Sequence, residues 1–118
     1  MTVQSISAIT LAVKDMAQSV AFYHGGAGIP ILYGGPEASF TSLKVGDGYL
    51  NLILSDDADV RWWGRCILYV DDVDAHHRRM IDAGYSPDTR PADAPWRERY
   101  DHITDPDGHE ISFARPIG

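Results

Sequence analysis

Apolar residues alternate with polar or small residues near the start of the chain. Ile9, Leu11 and Val13 fall on one side of this alternation, which has the period of a strand with one buried face. From Asp15, a suitable helix N-cap, apolar positions recur at helical spacing until the glycine-rich run at 25–28 ends the pattern. The pattern therefore predicts a strand followed by a helix.

Three further strands are predicted in the first half of the chain. A short apolar segment at 31–33 precedes two alternating segments at 40–45 and 49–54. The residues between the last two, Gly-Asp-Gly at 46–48, include an Asp-Gly pair that tolerates the positive φ of a tight hairpin. The first half thus has the order strand, helix, three strands.

The same order of elements returns in the second half. A strand is predicted at 65–70, a helix from Asp72 through Ala83, and a strand pair at 100–104 and 110–114. The last two strands flank Asp-Pro-Asp-Gly at 105–108, a turn sequence. An internal repeat explains this order, and we expect one α+β domain made of two tandem βαβββ modules, at about 5–55 and about 62–116.

Two segments between these elements look irregular. Residues 55–61 contain three aspartates, but they lack the bend glycine and closing glutamate of a calcium loop, so we interpret them as a solvated linker. Residues 87–95 are rich in Pro, Asp and Ala, which predicts a loop with at most a weak strand.

Composition limits the classes of partner. The 118 residues suit one domain, and ten Lys and Arg against 17 Asp and Glu give a formal net charge of -7, which disfavours nucleic acid and allows a cationic ligand. No apolar run is long enough to span a membrane or to form a signal-peptide core. Cys66 is the only cysteine, which excludes an intrachain disulfide and is expected to be a buried thiol. We expect a cytoplasmic protein.

The motifs of the two halves together resemble those of a known superfamily. They are the segment Leu-Ala-Val-Lys-Asp at 11–15, Phe-Tyr at 22–23, and the Asp-Pro-Asp-Gly turn at 105–108 before the last strand. The chain resembles, over nearly its whole length, the vicinal oxygen chelate superfamily of glyoxalases, extradiol dioxygenases, fosfomycin-resistance enzymes and bleomycin-resistance proteins. The resemblance implies that the strands form incomplete barrels around a cavity, with the helices on the outer face.

Strand alternation then divides the side chains between the two faces of each sheet. Those expected to face the helices are Ile9, Leu11, Val13, Leu43, Val45, Leu50, Leu52, Leu54, Cys66, Leu68, Val70, Ile103, Ile111 and Phe113. Those expected to line the cavity are Thr10, Phe40, Ser42, Tyr49, Asn51, Arg65, Ile67, Tyr69, Tyr100, His102, Glu110 and Ser112.

Metal-dependent members of the superfamily carry a His or Glu at one inward position on each of four strands. By register with the motifs, these positions fall here on Ala8, Asn51, Arg65 and Ser112. None is a good ligand for a divalent cation, and Arg65 would place a permanent positive charge at the site. We therefore expect neither a metal nor another cofactor, and no catalytic activity that depends on a Lewis acid.

The histidines do not replace these ligands. His76 and His77 are adjacent on the predicted helix, so they point in different directions and are expected at the surface. His24 lies near a helix C-terminus and His109 follows a turn. Only His102, on a strand and directed inward, is expected to contact a ligand.

Aromatic and polar side chains are the remaining candidates for a binding site. Stacking on flat faces favours a planar ligand, and a few polar groups would orient it. Trp62 and Trp63 should point to opposite sides if they lie on a strand, one into the core, and Arg65 could stack on a ring or pair with Glu110. The predicted ligand-binding residues are Phe40, Tyr49, Asn51, Trp62, Trp63, Arg65, Tyr69, Trp96, Tyr100, His102, Glu110 and Ser112.

The antibiotic-sequestering members of the superfamily are the best match to this pattern. The resemblance implies a homodimer that binds a bulky, partly planar aromatic natural product, such as a bleomycin, an anthraquinone or an enediyne, in grooves shared by two chains. One alternative is an enzyme, either a lyase, isomerase or dioxygenase with a relocated metal, or a metal-free catalyst using His102 and Glu110. A regulatory module with an empty barrel is a third hypothesis.

Overall fold

A computed structural model of the protein describes residues 1–57 and 59–118, which form two compact units divided at that gap. Each unit contains four strands and one helical segment in the order strand, helix, three strands. The α+β class and the repeated βαβββ arrangement predicted from the sequence are therefore confirmed. None of the described helices is long and apolar enough to cross a membrane.

The first unit has one open four-stranded sheet with the order β1-β4-β3-β2. Its elements are β1 (Ala8–Val13), α1 (Met16–Val20) continuing as a π-helix (Ala21–Gly26), β2 (Ile31–Tyr33), β3 (Phe40–Val45) and β4 (Gly48–Leu54). Strands β1 and β4 are parallel and the other pairs are antiparallel. Asp15 caps α1 as predicted, because its side chain accepts a hydrogen bond from the amide of Gln18 at 3.1 Å.

The second unit repeats this topology, with the sheet order β5-β8-β7-β6. Its elements are β5 (Arg65–Tyr69), α2 (Val73–Asp82), β6 (Ala92–Asp93), β7 (Glu98–Thr104) and β8 (Glu110–Pro116). Asp72 caps α2 through the amide of Ala75 at 3.0 Å. The segment predicted as a loop with a weak strand contains only the two-residue strand β6.

The first helix ends in a wider turn than the sequence pattern predicts. Over Ala21–Gly26 the backbone is a π-helix, and the amide of Ala27 bonds to the carbonyl of Phe22 at 2.9 Å. Phe22 and Tyr23 are both buried, with ring centroids 4.8 Å apart, although they are consecutive. The two glycines that follow have low helix propensity, so the regular hydrogen-bond pattern is only weakly favoured here.

Helix α2 covers one face of the second sheet, and this corrects the prediction that both of its histidines lie at the surface. The ring of His76 packs against Phe113 at a centroid distance of 4.1 Å. His77 Nδ1 lies 2.9 Å from Asp101 Oδ2, and their side chains are only 16% and 3% exposed. Asp101 lies on the sheet face beneath α2, which gives the histidine an inward partner that spacing within the helix does not reveal.

Most of the residues predicted to face the helices are buried, but the pattern fails towards the strand ends. Leu54, at the end of β4, is 43% exposed. Ile9, Val45, Leu68 and Val70 are only half-buried. Period-two alternation predicts the face of a strand on which a side chain lies, but not how far the covering helix extends.

Candidate functional site

The uncovered face of the second sheet carries most of the predicted ligand-binding residues. Strand register places Arg65 beside Glu110. In the next row His102 and Ile67 flank Ser112, and in the one after that Tyr100 and Tyr69 flank Ala114. Because side chains on alternate positions share a face, these rows form one continuous surface.

A small cleft of about 70 Å³ opens on this surface. Its lining residues are Arg65, Ile67, Trp96, Glu98, Tyr100, His102, Ser112 and Ala114. The rings of Trp96 and Tyr100 are stacked, with centroids 5.9 Å apart and planes at 29°. The His102 ring lies next to Tyr100, with a centroid distance of 5.0 Å. The rings of Trp96, Tyr100 and His102 together form an aromatic wall.

An ion pair lies at one end of the surface. Arg65 Nε donates to Glu110 Oε2 at 2.6 Å, and the same oxygen accepts the indole N–H of Trp62 at 3.2 Å. The Arg65 guanidinium also lies 5.9 Å from the Trp62 ring. The hydrogen bond from Arg65, followed by that from Trp62, lowers the pKa of the Glu110 carboxyl. The predicted pairing of Arg65 with Glu110 is present.

A second carboxylate, Glu98, lies at the opposite end of the surface. It accepts hydrogen bonds from the hydroxyl of Tyr69 and from the indole N–H of Trp96, the latter at 3.1 Å. The hydrogen bond to this carboxylate raises the pKa of the Tyr69 hydroxyl. Glu98 was not among the residues predicted from the sequence, because the strand was predicted to begin at Tyr100. Strand β7 begins at Glu98, which places Glu98 and Tyr100, two residues apart, on one face.

The middle of the cleft contains a contact between two polar side chains. His102 Nδ1 lies 2.5 Å from Ser112 Oγ, and Ser112 is 2% exposed. The contact leaves Nε2 of His102 as the second nitrogen able to bond a ligand. Both residues were predicted to line the cavity, and both line the cleft.

The prediction that Trp62 or Trp63 enters the core is wrong. The segment that carries them is not a strand, and the two side chains are 70% and 47% exposed. The indole N–H of Trp62 donates to Glu110, the first residue of β8. The indole N–H of Trp63 donates to Nδ1 of His109, the residue before that strand, at 2.8 Å. Only Trp62 therefore borders the ion pair of the cleft surface. His109 is buried, which its position after a turn did not indicate.

Three predicted residues belong to the first unit and not to this cleft. Phe40, Tyr49 and Asn51 lie on the face of the first sheet that carries the polar side chains. Asn51 Nδ2 lies 3.4 Å from Thr10 Oγ1, and Lys44 Nζ lies 4.5 Å from the centroid of the Tyr49 ring. The cleft is made entirely of residues from the second unit.

The four positions that hold a metal in relatives do not suit a divalent cation here. In the first unit Ala8 has no donor, and Asn51 Oδ1, buried and without a hydrogen-bond partner among the described residues, offers one neutral oxygen. In the second unit Arg65 is a cation engaged by Glu110, and Ser112 Oγ contacts His102. Over residues 1–57 and 59–118, no three His, Cys, Asp or Glu side chains are grouped as they would be to hold a metal. The donor set does not fit the family's metal.

Comparison with known proteins identifies related sequences and structures. The family model described as Glyoxalase/Bleomycin resistance protein/Dioxygenase superfamily matches residues 5–113. An uncharacterized protein of Mycobacterium bovis, Mb0911c, is 27% identical over 122 residues, covering 91% of this chain and 80% of that protein.

Two solved structures show the range of proteins with this fold. TnmS3, an antibiotic binding protein from Streptomyces sp. CB03234, is 26% identical, with a TM-score of 0.80 and 98% of each chain covered. A lactoylglutathione lyase from Agrobacterium tumefaciens is 19% identical, with a TM-score of 0.75 and coverage of 96% of this chain and 94% of the lyase. At 19% sequence identity, the similarity to the lyase shows a shared fold only.

Proposed function

The chain belongs to the glyoxalase/bleomycin resistance protein/dioxygenase superfamily, and from this premise we propose that it is a non-catalytic protein that sequesters an antibiotic. The ligand is a bulky, partly planar aromatic natural product of the bleomycin, anthraquinone or enediyne kind. The protein confers resistance by lowering the concentration of free drug, and no bond is made or broken. This activity takes place in the cytoplasm.

The aromatic wall of the second unit is the observation that carries this proposal. Trp96 is 66% exposed although it is a large apolar residue, so its ring face is available to a ligand. Tyr69, on the same sheet face, is 62% exposed. Flat exposed rings beside a few polar groups, Arg65 and His102 among them, are suited to stack on and orient a planar molecule.

Similarity to an antibiotic binding protein supports the same function. TnmS3 matches nearly the full length of the chain at 26% identity. The chemistry of the four metal-ligand positions also favours binding over catalysis, since the superfamily's enzymes use a metal that these side chains do not suit. The proposed ligand-binding residues are those of the cleft, together with Tyr69 and Trp62.

The size of the cleft suggests that a second chain completes the site. Its volume of about 70 Å³ is well below the roughly 300–1,000 Å³ of sites that enclose a drug-sized ligand. We therefore propose a homodimer in which a partner chain covers the ligand. Sedimentation at micromolar concentration, with and without a bound antibiotic, tests this, and a monomer under both conditions would contradict it.

A binding screen tests the function directly. Purified protein is titrated with a bleomycin, an anthraquinone and an enediyne, and quenching of tryptophan fluorescence is followed by calorimetry. We expect at least one compound to bind with a dissociation constant below its toxic concentration and to be recovered unchanged after release, because protection by sequestration depends on mass action. Binding should also raise the melting temperature.

Two results would contradict the proposal. One is the absence of binding by every class, together with no protection of a sensitive bacterium that expresses the protein. The other is conversion of the recovered compound to a product, accompanied by one tightly held divalent metal per chain in elemental analysis. The second result would favour the enzyme hypothesis.

A further inference from the structure

The cleft surface of the second unit is not electrically balanced, and the imbalance is confined to one end. At the Arg65 end, the guanidinium and the Glu110 carboxylate neutralise each other at 2.6 Å. At the other end, the Glu98 carboxylate has two neutral donors, Tyr69 and Trp96. Within residues 1–57 and 59–118, none of the ion pairs includes Glu98.

The arginines next to Glu98 in sequence are engaged elsewhere. Arg99 forms ion pairs with Asp74 at 2.7 Å and Asp93 at 2.9 Å. Arg97 donates to the carbonyl oxygen of Gly118 at 2.7 Å. Because Arg99 is one position away on the same strand, it points to the other face of the sheet. Arg65 lines the same cleft as Glu98, but it is paired with Glu110, so among the described residues no cation forms an ion pair with Glu98.

Glu98 also lies beside the ring stack that would receive a planar ligand. Trp96 donates a hydrogen bond to the Glu98 carboxylate and stacks on Tyr100. Glu98 and Tyr100 are two residues apart on β7, a separation of about 6–7 Å along the strand. In the register of the sheet, the backbone of Glu110 lies three such steps from that of Glu98, about 20 Å along the strands. One uncompensated carboxylate thus stands close to the aromatic wall.

We propose that the ligand is a planar aromatic molecule carrying a protonated amine, and that Glu98 selects it by pairing with the ammonium group while the ring lies on Trp96 and Tyr100. This rests on the proposed function and defines its ligand class. Because the Glu98 carboxylate lies 3.1 Å from the indole nitrogen of Trp96, it is within reach of an amine on a short arm of a ring stacked there. The negative net charge of the protein favours the approach of such a cation.

Two anthraquinones that differ in one group test the selection. The first is 1-(2-aminoethylamino)anthraquinone, and the second is 1-(2-hydroxyethylamino)anthraquinone, which has the same ring and arm but no charge at neutral pH. Each is titrated into the native protein, into Glu98→Gln, and into Glu37→Gln. Glu37 is exposed in the first unit, so its substitution removes one negative charge away from the cleft.

We expect the native protein to bind the amine about tenfold more tightly than the alcohol at low salt. Glu98→Gln should reduce this preference to less than threefold, and a urea unfolding curve close to that of the native protein shows that the variant is folded. Glu37→Gln should keep the full preference. The preference should shrink at high salt, since an exposed charge pair is screened.

Failure of this inference can be distinguished from failure of the proposed function. If amine and alcohol bind equally and Glu98→Gln changes neither, the selection by Glu98 is wrong and sequestration of aromatic compounds stands. A preference retained in full by Glu98→Gln would overturn the inference as well. If neither anthraquinone binds and the antibiotic screen is also negative, the proposed function itself is wrong.

Discussion

Replacing Trp96 by leucine should weaken ligand binding while the chain still folds. The side chain is 66% exposed, so about one third of its surface is buried in the folded chain. At roughly 25 cal/mol per Å², complete removal of that contact would cost at most about 2 kcal/mol, and leucine retains part of it. We expect the variant to fold, with a loss of about 1 kcal/mol in the free energy of unfolding.

The effect on binding follows from the loss of a stacking face. One aromatic pair contributes about 0.5–1.5 kcal/mol beyond simple burial, which corresponds to about a 2- to 12-fold increase in dissociation constant. Trp96→Phe is the matched control, because it keeps a flat, smaller ring and loses the indole N–H that bonds Glu98 at 3.1 Å. Its affinity for an uncharged ligand should remain within about twofold of the native value.

Calorimetric titration with the neutral hydroxyethylamino anthraquinone measures these affinities, and urea unfolding measures the stability of each variant. Native affinity in Trp96→Leu would refute stacking on this side chain. An equal loss in both variants would show that the indole N–H, and not the ring face, is what the ligand needs.

Three further predictions concern the second unit. Asp101→Ala should lower the free energy of unfolding by about 1–3 kcal/mol, because it leaves the largely buried His77 ring without its hydrogen-bond partner; no measurable cost in urea unfolding would contradict this. Burial raises the pKa of the Cys66 thiol, so an aromatic disulfide reagent at pH 8 should react with it only as fast as the protein unfolds, and rapid labelling of the native state would oppose this. The hydrogen bond from Arg65 lowers the pKa of the Glu110 carboxyl. The ionised carboxylate therefore stabilises the fold at pH values above about 4.3, the ordinary pKa of glutamate, and this stabilisation is lost as the pH falls through the lowered pKa. The stability gap between the native protein and Glu110→Gln, less than about 1 kcal/mol at pH 7, should therefore close as the pH falls below about 4.3, whereas a gap that widens on acidification would contradict the assignment.

Much of the site could be predicted because strand alternation is a local property. Arg65, Tyr69, Tyr100, His102, Glu110 and Ser112 were assigned to one sheet face from parity alone, and the structure places them together on the open face of the second sheet. Glu98 was missed because the predicted strand began too late, at Tyr100. One of Trp62 and Trp63 was wrongly expected in the core, because parity has no meaning in a segment that is not a strand.

The amino-acid order by itself determined the repeat of strands and helices, the two Asp caps and the face to which each strand residue belongs, since all of these depend on neighbours within a few positions. Tertiary structure alone decided which side chains meet across strands. Over residues 1–57 and 59–118, Glu110 pairs with Arg65 whereas none of the ion pairs includes Glu98, and His77 faces inward because Asp101 lies beneath α2. Such contacts join residues 20 or more positions apart, and their register follows from packing of the whole sheet and helix, which no local pattern encodes.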